Sequence, residues 1–387
     1  MLNLTFILPD LAGGVYYACL NLAKLLGKKE CNISFILTRQ PDKPAGSSVT
    51  DLYGFDSQVY SYSADDNKYY IYKKLAKAIP ANSDVIILND WLDHKLVTHR
   101  RLPQRIISIV HGDYDYYYEI AAASESRIDQ FVCVSAAIAD KLSILLPHRK
   151  SDIVFIPPVV PDMHVDHEEN IENNLRIIFV GRLTPEKGFD LLPIVDHELQ
   201  KAGISCNWTI VAPHATSDYD EWLNKPDVDY YEYVSNEKMP AAYIKQDVIL
   251  LPSHAEGFPL SILEAMKCGV VPLATNLGTL ANGIINHEET GFLFELNDVA
   301  AIVRQLKQLN TNRSLLGKMS RNAKLHARSS YSEDSFREKW TTLLSRKDSG
   351  KNLSKPVHFN YDRLDVPWLP NTATRAIRKW KSTEKGK

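Results

Sequence analysis

The sequence predicts an α/β chain in which a doubly wound parallel sheet is built twice. Three observations carry this. Short apolar runs without polar alternation recur along the chain, as expected of parallel strands buried on both faces. Segments of helical periodicity separate them, the pattern of strand–helix–strand units. The chain has 387 residues, too many for one ordinary hydrophobic core, so two domains are expected.

In chain order, "LNLTFIL" from Leu2 is the first buried strand. "GVYYACLNLAKLLGKK" follows, with Val15, Cys19, Leu22 and Leu26 at helical spacing. "CNISFIL", "SDVIIL", "RIISIV" and "QFVCV" are the further strands of the first half. "LRIIFV", "CNWTIV", "DVILL" and "GVVPLA" are those of the second. Between the halves lies "PPVVPDMHVDHEENIENN", residues 157–174, where Pro157, Pro158 and Pro161 precede an acidic, Asn-rich stretch without periodicity. That composition marks a linker. It sets a first domain over 1–160 and a second over 161–330. "YSEDSFREKWTTLLSRK" reads as a helix capped by Ser332, with Phe336, Trp340, Leu343 and Leu344 on one apolar face. The tail ends in "WLPNTATRAIRKWKSTEKGK", where Arg375, Arg378, Lys379, Lys381, Lys385 and Lys387 flank Trp380.

Composition excludes several classes. An apolar fraction of 44% with 24% charged residues is that of a soluble globular protein. A net charge of -2 gives no reason to expect nucleic acid as a partner. The five cysteines are scattered and form no C-x-x-C or Cys/His cluster, so neither a disulfide framework nor a zinc site is expected. They fit reduced thiols in a cytoplasmic core. The start, "MLNLTFILPD", lacks a basic leader and a small-residue cleavage site. No apolar run approaches the roughly 18 residues of a membrane span.

The chemistry gathers where strands end. In "SHAEGFPLSILEAMKCGVVPLATNLG", Glu256 and Glu264 stand eight positions apart. On a single helix they would be separated by about 12 Å along the axis. Paired hydrolase carboxylates need roughly 5–9.5 Å, so a glycosidase is disfavoured. The better reading puts Glu256 in the loop after the strand "DVILL", with Gly257 and Phe258. Pro259 then suits the first helical turn, and Glu264 lies on the helix. The amides of Leu260 and Ser261 would face an anion. In "FVGRLTPEKGFDLL", Arg182 and Lys187 follow a strand that ends at Val180, with Gly181 and Gly188 as turn points. Two cations there would bind a diphosphate and stabilise it as a leaving group. Gly13 and Gly14, in "FILPDLAGGVYY", again offer amides between a strand and a helix, although the G-x-G-x-x-G dinucleotide fingerprint is absent. His111 follows the strand "RIISIV", at a carboxyl strand end where α/β ligands sit.

Together the E-x7-E pair, "GRLTPEKG", the first-loop "GG" and the segment "YVSNEKMPAAYIKQDVILLPS" resemble the retaining glycosyltransferases of family 4. The resemblance covers essentially residues 4–345 and is strongest over about 175–295. It implies the GT-B fold, two Rossmann-like domains facing a central cleft, with the chain from about 331 returning to the first domain. It implies that Glu264 holds the donor ribose, Glu256 the sugar hydroxyls, and Arg182 and Lys187 the diphosphate. Gly14 would approach that diphosphate, His111 would contact the sugar, and the backbone around Val234 would pass the base. The implied donor is a nucleotide-diphosphate sugar, the acceptor a glycan or lipid-linked glycan, and no metal or other cofactor is needed. The chain departs from the family after Gly278, where "NLGTLANGIINHEETGFLF" replaces a common "GG-x-P-E" segment.

Three other readings keep most of these residues: a sugar-nucleotide epimerase, a phosphorylase, and a non-catalytic nucleotide-sugar-binding partner of a transferase. For the tail, 361–387, two readings stand. Its cations and tryptophans would give a peripheral contact with an anionic membrane surface. The preferred reading packs it on the first domain or leaves it disordered.

Overall fold

The computed structural model describes residues 1–11, 13–27, 30–41, 52–163, 165, 167–168, 174–213, 219–278, 283–346 and 363–384. Part of the linker read at 157–174, part of the segment after Gly278, and Lys385 and Lys387 lie outside them. The chain divides into two compact units. The first comprises Met1–Val134, Ile138–Ile156 and Lys339–Lys387. The second comprises Pro157–Glu338 with the short segment Ser135–Ala137.

The first unit holds a seven-stranded sheet. Its strands are β1 (Leu2–Pro9), β2 (Cys31–Arg39), β3 (Asp56–Ser61), β4 (Val85–Leu88), β5 (Arg105–Val110), β6 (Gln130–Cys133) and β7 (Ile153–Phe155). Their order is β3-β2-β1-β4-β5-β6-β7, and every pairing is parallel. The second unit holds six: β8 (Leu175–Val180), β9 (Cys206–Val211), β10 (Val228–Tyr231), β11 (Val248–Leu251), β12 (Val271–Thr275) and β13 (Phe292–Phe294). These run β10-β9-β8-β11-β12-β13, also parallel throughout. The apolar runs are central because both faces of a parallel sheet are covered by helices. Ile86, Ile87, Ile107 and Phe131 are buried in one core; Ile177, Ile178, Ile249 and Leu250 are buried in the other. All five cysteines are buried.

Each sheet reverses its winding once, between β1 and β4 in the first and between β8 and β11 in the second. Connections diverge to opposite faces there, which opens a crevice outside the carboxyl strand ends. The topology alone therefore selects the loops after β1, β4, β8 and β11.

The helix Glu333–Ser345 is the one read from the sequence. Ser332 caps it, its Oγ accepting from the Ser335 amide at 3.3 Å, and Phe336, Trp340, Leu343 and Leu344 are buried. Buried Arg105, at the start of β5, donates to the carbonyls of Leu343 at 2.7 Å and Leu344 at 2.9 Å. This adds a donor to two carbonyls of the last helical turn, where Leu343 O also accepts from the Arg346 amide at 3.2 Å.

The tail packs on the first unit. Asn67 caps the helix Lys68–Ala78 through its Oδ1. Its Nδ2 reaches the carbonyls of Val366 and Leu369 at 3.0 Å each. The final helix, Asn371–Glu384, is held by Asn371 on Asp66 at 2.7 Å and Arg378 on Asp365 at 3.0 Å, with Arg375 also bound to Asp66. No helix among the described residues is long and apolar enough to cross a membrane.

Within the second unit, Lys267 is 0% exposed. It ends the helix Leu260–Lys267 and donates to Val160 O at 2.6 Å, Asp162 Oδ1 at 2.7 Å and Tyr331 O at 2.9 Å. Three acceptors match the three donors of an ammonium group. Burial nonetheless pulls its pKa down, against the raising effect of Asp162.

Candidate functional site

The loops after β8 and β11 are laced together at the switch point of the second sheet. The His254 amide donates to Glu186 O at 2.8 Å. Gly188 closes the turn Pro185–Lys187 in the left-handed conformation, at φ 66°. A Cβ at Gly188 would stand 2.0 Å from Pro252 O. The position thus demands glycine twice, for its dihedral and for the close backbone approach. Gly188→Ala must either separate the loops or strain them, and a loss of about 2–3 kcal/mol is expected from strain of this type. Chemical denaturation measures it; a variant as stable as the parent would contradict this packing.

The lacing brings Lys187 onto Glu256: Nζ donates to Oε1 at 2.7 Å. Ser253, at the end of the β11 run, donates its hydroxyl to the same oxygen at 2.8 Å. The Lys187 side chain is 17% exposed and that of Glu256 9%. A pair in such surroundings is weakly screened and holds a fixed geometry. Arg182 behaves differently. Its side chain is 58% exposed and leans on Glu186 at 3.3 Å, one turn along the same loop. Its ion pair is with Glu186, so of the two cations read in "GRLTPEKG" it is Lys187 that is seated against Glu256.

Pro259 is the residue before the helix Leu260–Lys267, at φ -79°, one position earlier than a place in the first turn. Leu260 and Ser261 open the helix, so their amides have no intrahelical acceptor and the positive end of the helix dipole lies there. Gly257 is buried, and Phe258 stacks edge-on against Tyr331 with ring centroids 5.9 Å apart. Glu264, on the second turn of the helix, is half-buried and accepts from Tyr243 Oη at 3.0 Å. Burial raises the Glu264 pKa from 4.5 to about 7, with the Tyr243 hydrogen bond acting in the opposite sense. A carboxyl raised in this way favours the folded state while protonated. That contribution fades as pH rises from the unfolded value through about 7. Tyr243 belongs to the helix Met239–Tyr243. That helix follows the loop carrying Val234, which is itself packed on the core.

In the first unit, a second constellation lies at the β1/β4 switch. Asn89, the residue after β4, donates through Nδ2 to Ile7 O at 2.9 Å and Ile87 O at 3.3 Å. Those two carbonyls fix the amide's orientation, so Oδ1 is an acceptor. It receives His111 Nε2 at 2.8 Å and the Cys19 thiol at 3.0 Å. His111 therefore carries its proton on Nε2 and presents Nδ1 as an acceptor. Burial lowers its pKa to about 3, which keeps the ring neutral. Gly13 precedes the helix that carries Cys19, and Gly14 is its first residue. Neither has a positive φ, and a Cβ on either would meet nothing within 4 Å. A tight turn thus does not explain this glycine pair, and the amides of Gly14 and Val15 open the helix. Beside them, the aromatic run after His111 is partly engaged: Tyr118 donates to Asp113 at 2.7 Å and Tyr116 to Asp90 at 3.1 Å.

Ser253, Tyr243 and Asn89 escaped the sequence reading. Ser253 carries a signal, since it is the second residue after β11 and precedes Glu256 by three. Tyr243 is 21 residues from Glu264 and Asn89 22 from His111, so no local spacing announces either contact.

Comparison with known proteins bears on the fold and the class of protein. Residues 164–326 match the family model "Glycosyl transferases group 1". An uncharacterized glycosyltransferase of Haemophilus influenzae is 25% identical over 86% of this chain and 96% of its own length. An uncharacterized 41.2 kDa protein in the cps region of Klebsiella pneumoniae is 33% identical, over 34% of this chain and 36% of its own. The Escherichia coli UDP-Gal:alpha-D-GlcNAc-diphosphoundecaprenol alpha-1,3-galactosyltransferase is 27% identical over 51% and 52%. The match thus spans about a third to a half of two of these relatives and nearly all of the third. Among solved structures, Anabaena HepE in complex with UDP and glucose superposes with TM-score 0.71 at 15% identity, covering 89% of this chain and 100% of that one. TarM superposes with TM-score 0.69 at 12% identity, covering 89% and 99%. The two Rossmann-like parallel-sheet units are those of the GT-B fold. The family model and the relatives support a glycosyltransferase.

Proposed function

We propose that the protein is a retaining, family 4 glycosyltransferase. It would move a sugar from a nucleotide-diphosphate donor to an acceptor hydroxyl of a glycan or lipid-linked glycan, in the cytoplasm and without a metal. The observation that carries this is the Lys187–Glu256 pair, held at 2.7 Å where the loops after β8 and β11 are laced beside a helix start. That is a cation, a carboxylate and free-ended amides at one carboxyl strand edge. The names of relatives bear on the substrates: one names UDP-Gal and a diphosphoundecaprenol acceptor, and one neighbour was solved with UDP and glucose.

In this reading Lys187 and the amides of Leu260 and Ser261 bind the diphosphate. Charge grows on its terminal oxygen as the bond to the sugar's anomeric carbon breaks, and fixed donors there stabilise the transition state. The acceptor oxygen forms the new bond to that carbon, and its proton passes to the departing phosphate oxygen on the same face. Glu256 accepts from the sugar's hydroxyls. Glu264 accepts from the ribose hydroxyls, a task that the ionised carboxylate performs best. Arg182 reaches the diphosphate only by leaving Glu186, which its exposure permits. With Lys187 neutralising the leaving group, a divalent cation is not required.

The test is thermal stabilisation by UDP, GDP, ADP and dTDP, with and without EDTA, at pH 6 and pH 8. A nucleotide at 100 times its Kd adds about 2.7 kcal/mol. One base should stabilise, EDTA should leave the effect intact, and affinity should be higher at pH 8. The sign follows from the Glu264 pKa of about 7, because binding the carboxylate form releases a proton. Glu264→Ala should remove most of the stabilisation. Failure of every nucleotide to stabilise would refute the donor site.

A further inference from the structure

The final helix is amphipathic in an inverted sense. Its polar face is the docked one: Asn371, Thr374, Arg375 and Arg378 meet Asp66, Asn67 and Asp365 of the first unit. These residues recur every three to four positions, so they form one stripe of the helix. The opposite stripe holds Ala373, Ala376 and Trp380, with Ile377 at its border and Glu384 one turn beyond Trp380. Ala376 is exposed, and Trp380 is 61% exposed. On a helix that merely packs onto its domain, the apolar stripe faces inward. Here charge-assisted bonds fix the helix from the polar side and turn the apolar side outward. Exposed Lys379 and Lys381 stand on either side of Trp380. Trp368, in the turn before the helix, is 77% exposed, and Arg363 is exposed as well.

We infer that this helix is a docking face for an anionic lipid surface. The composition of the face selects that partner. Tryptophan sits at the boundary between headgroups and acyl chains, because its ring is apolar and its N–H polar. Lysines beside it add attraction to anionic headgroups, which screens with salt. An interface with a second copy is disfavoured by charge, since it would set Lys379 and Lys381 against their own counterparts. The helix is placed by bonds to Asp66 and Asp365, so lipid would meet a formed, oriented surface rather than order a loose tail. This inference is independent of the donor reading.

The test uses the full chain and sedimentation with vesicles. The probes are phosphatidylcholine alone and phosphatidylcholine with about a third phosphatidylglycerol. The expected result is binding to the anionic vesicles only, lost at high salt. Lys379→Glu with Lys381→Glu should weaken it by at least ~25-fold, from ~5-fold per lysine near the surface, and Trp380→Ser by at least ~5-fold. Nucleotide stabilisation of both variants should match the parent, which separates this result from any failure of the donor site. Equal binding to neutral and anionic vesicles, or binding unchanged in both variants, would overturn the inference. So would a dimer in size-exclusion chromatography that Trp380→Ser dissociates without any vesicle binding in the parent.

Discussion

Lys187→Ala is expected to lower turnover by on the order of 10²-fold, the usual cost of removing one fixed donor from a developing charge. The structure sharpens the expectation in two ways. Lys187 is the cation that the cradle itself holds, against Glu256, whereas Arg182 lies outward on Glu186. The lysine variant should therefore lose more than Arg182→Ala in single-turnover rates. The loss should also have two parts. Leaving-group stabilisation goes, and Glu256 loses the Lys187 ammonium while Ser253 remains. A carboxylate that loses its ion-pair partner is held less firmly, which should raise KM for the donor as well as lower kcat. Lys187→Arg keeps the charge but not the compact ammonium, and should recover only part of the rate. Equal rates for the parent and Lys187→Ala would end this account of the leaving group.

The second large effect falls on stability. Lys267→Met fills the same space but removes three donors from Val160 O, Asp162 and Tyr331 O. Breaking a buried ion pair by deleting one partner costs about 3–5 kcal/mol. The low end applies here, since Asp162 keeps 33% of its side chain in water. Urea unfolding would read the change as a lower midpoint at unchanged slope. A loss below about 1 kcal/mol would show that the two carbonyls find water without difficulty.

The fold was legible where burial was symmetrical. The nine strands read from apolar runs are β1, β2, β4, β5, β6, β8, β9, β11 and β12, and they are interior to the two sheets. The four unread ones, β3, β7, β10 and β13, are the four edges. An edge strand is paired on one side only and is often short, so its sequence need not be a run of apolar residues. β3 reads "DSQVYS" and is mostly exposed, and β7 and β13 have three residues each. The site was legible for a related reason. Loops at carboxyl strand ends carry glycines and charges that neither sheet nor helix would choose, as at Gly181–Gly188 and Ser253–Pro259. What stayed hidden was pairwise: that Lys187 meets Glu256, that Tyr243 backs Glu264, and that Asn89 sets the proton of His111. Those contacts depend on three-dimensional closure between elements and leave no period in the chain.

The buried Arg105 has a consequence for the order in which the protein is made. Its guanidinium sits inside the first unit and needs the carbonyls of Leu343 and Leu344, nearly 240 residues later. Asn67 likewise waits for Val366 and Leu369. A ribosome releases the chain from the amino end, and domains generally fold as units while it emerges. The second unit, whose residues run almost without interruption from Pro157 to Glu338, is thus expected to finish first. The first unit emerges earlier yet is expected to reach its native state last, because Arg105 and Asn67 bond to residues made only near the end of synthesis.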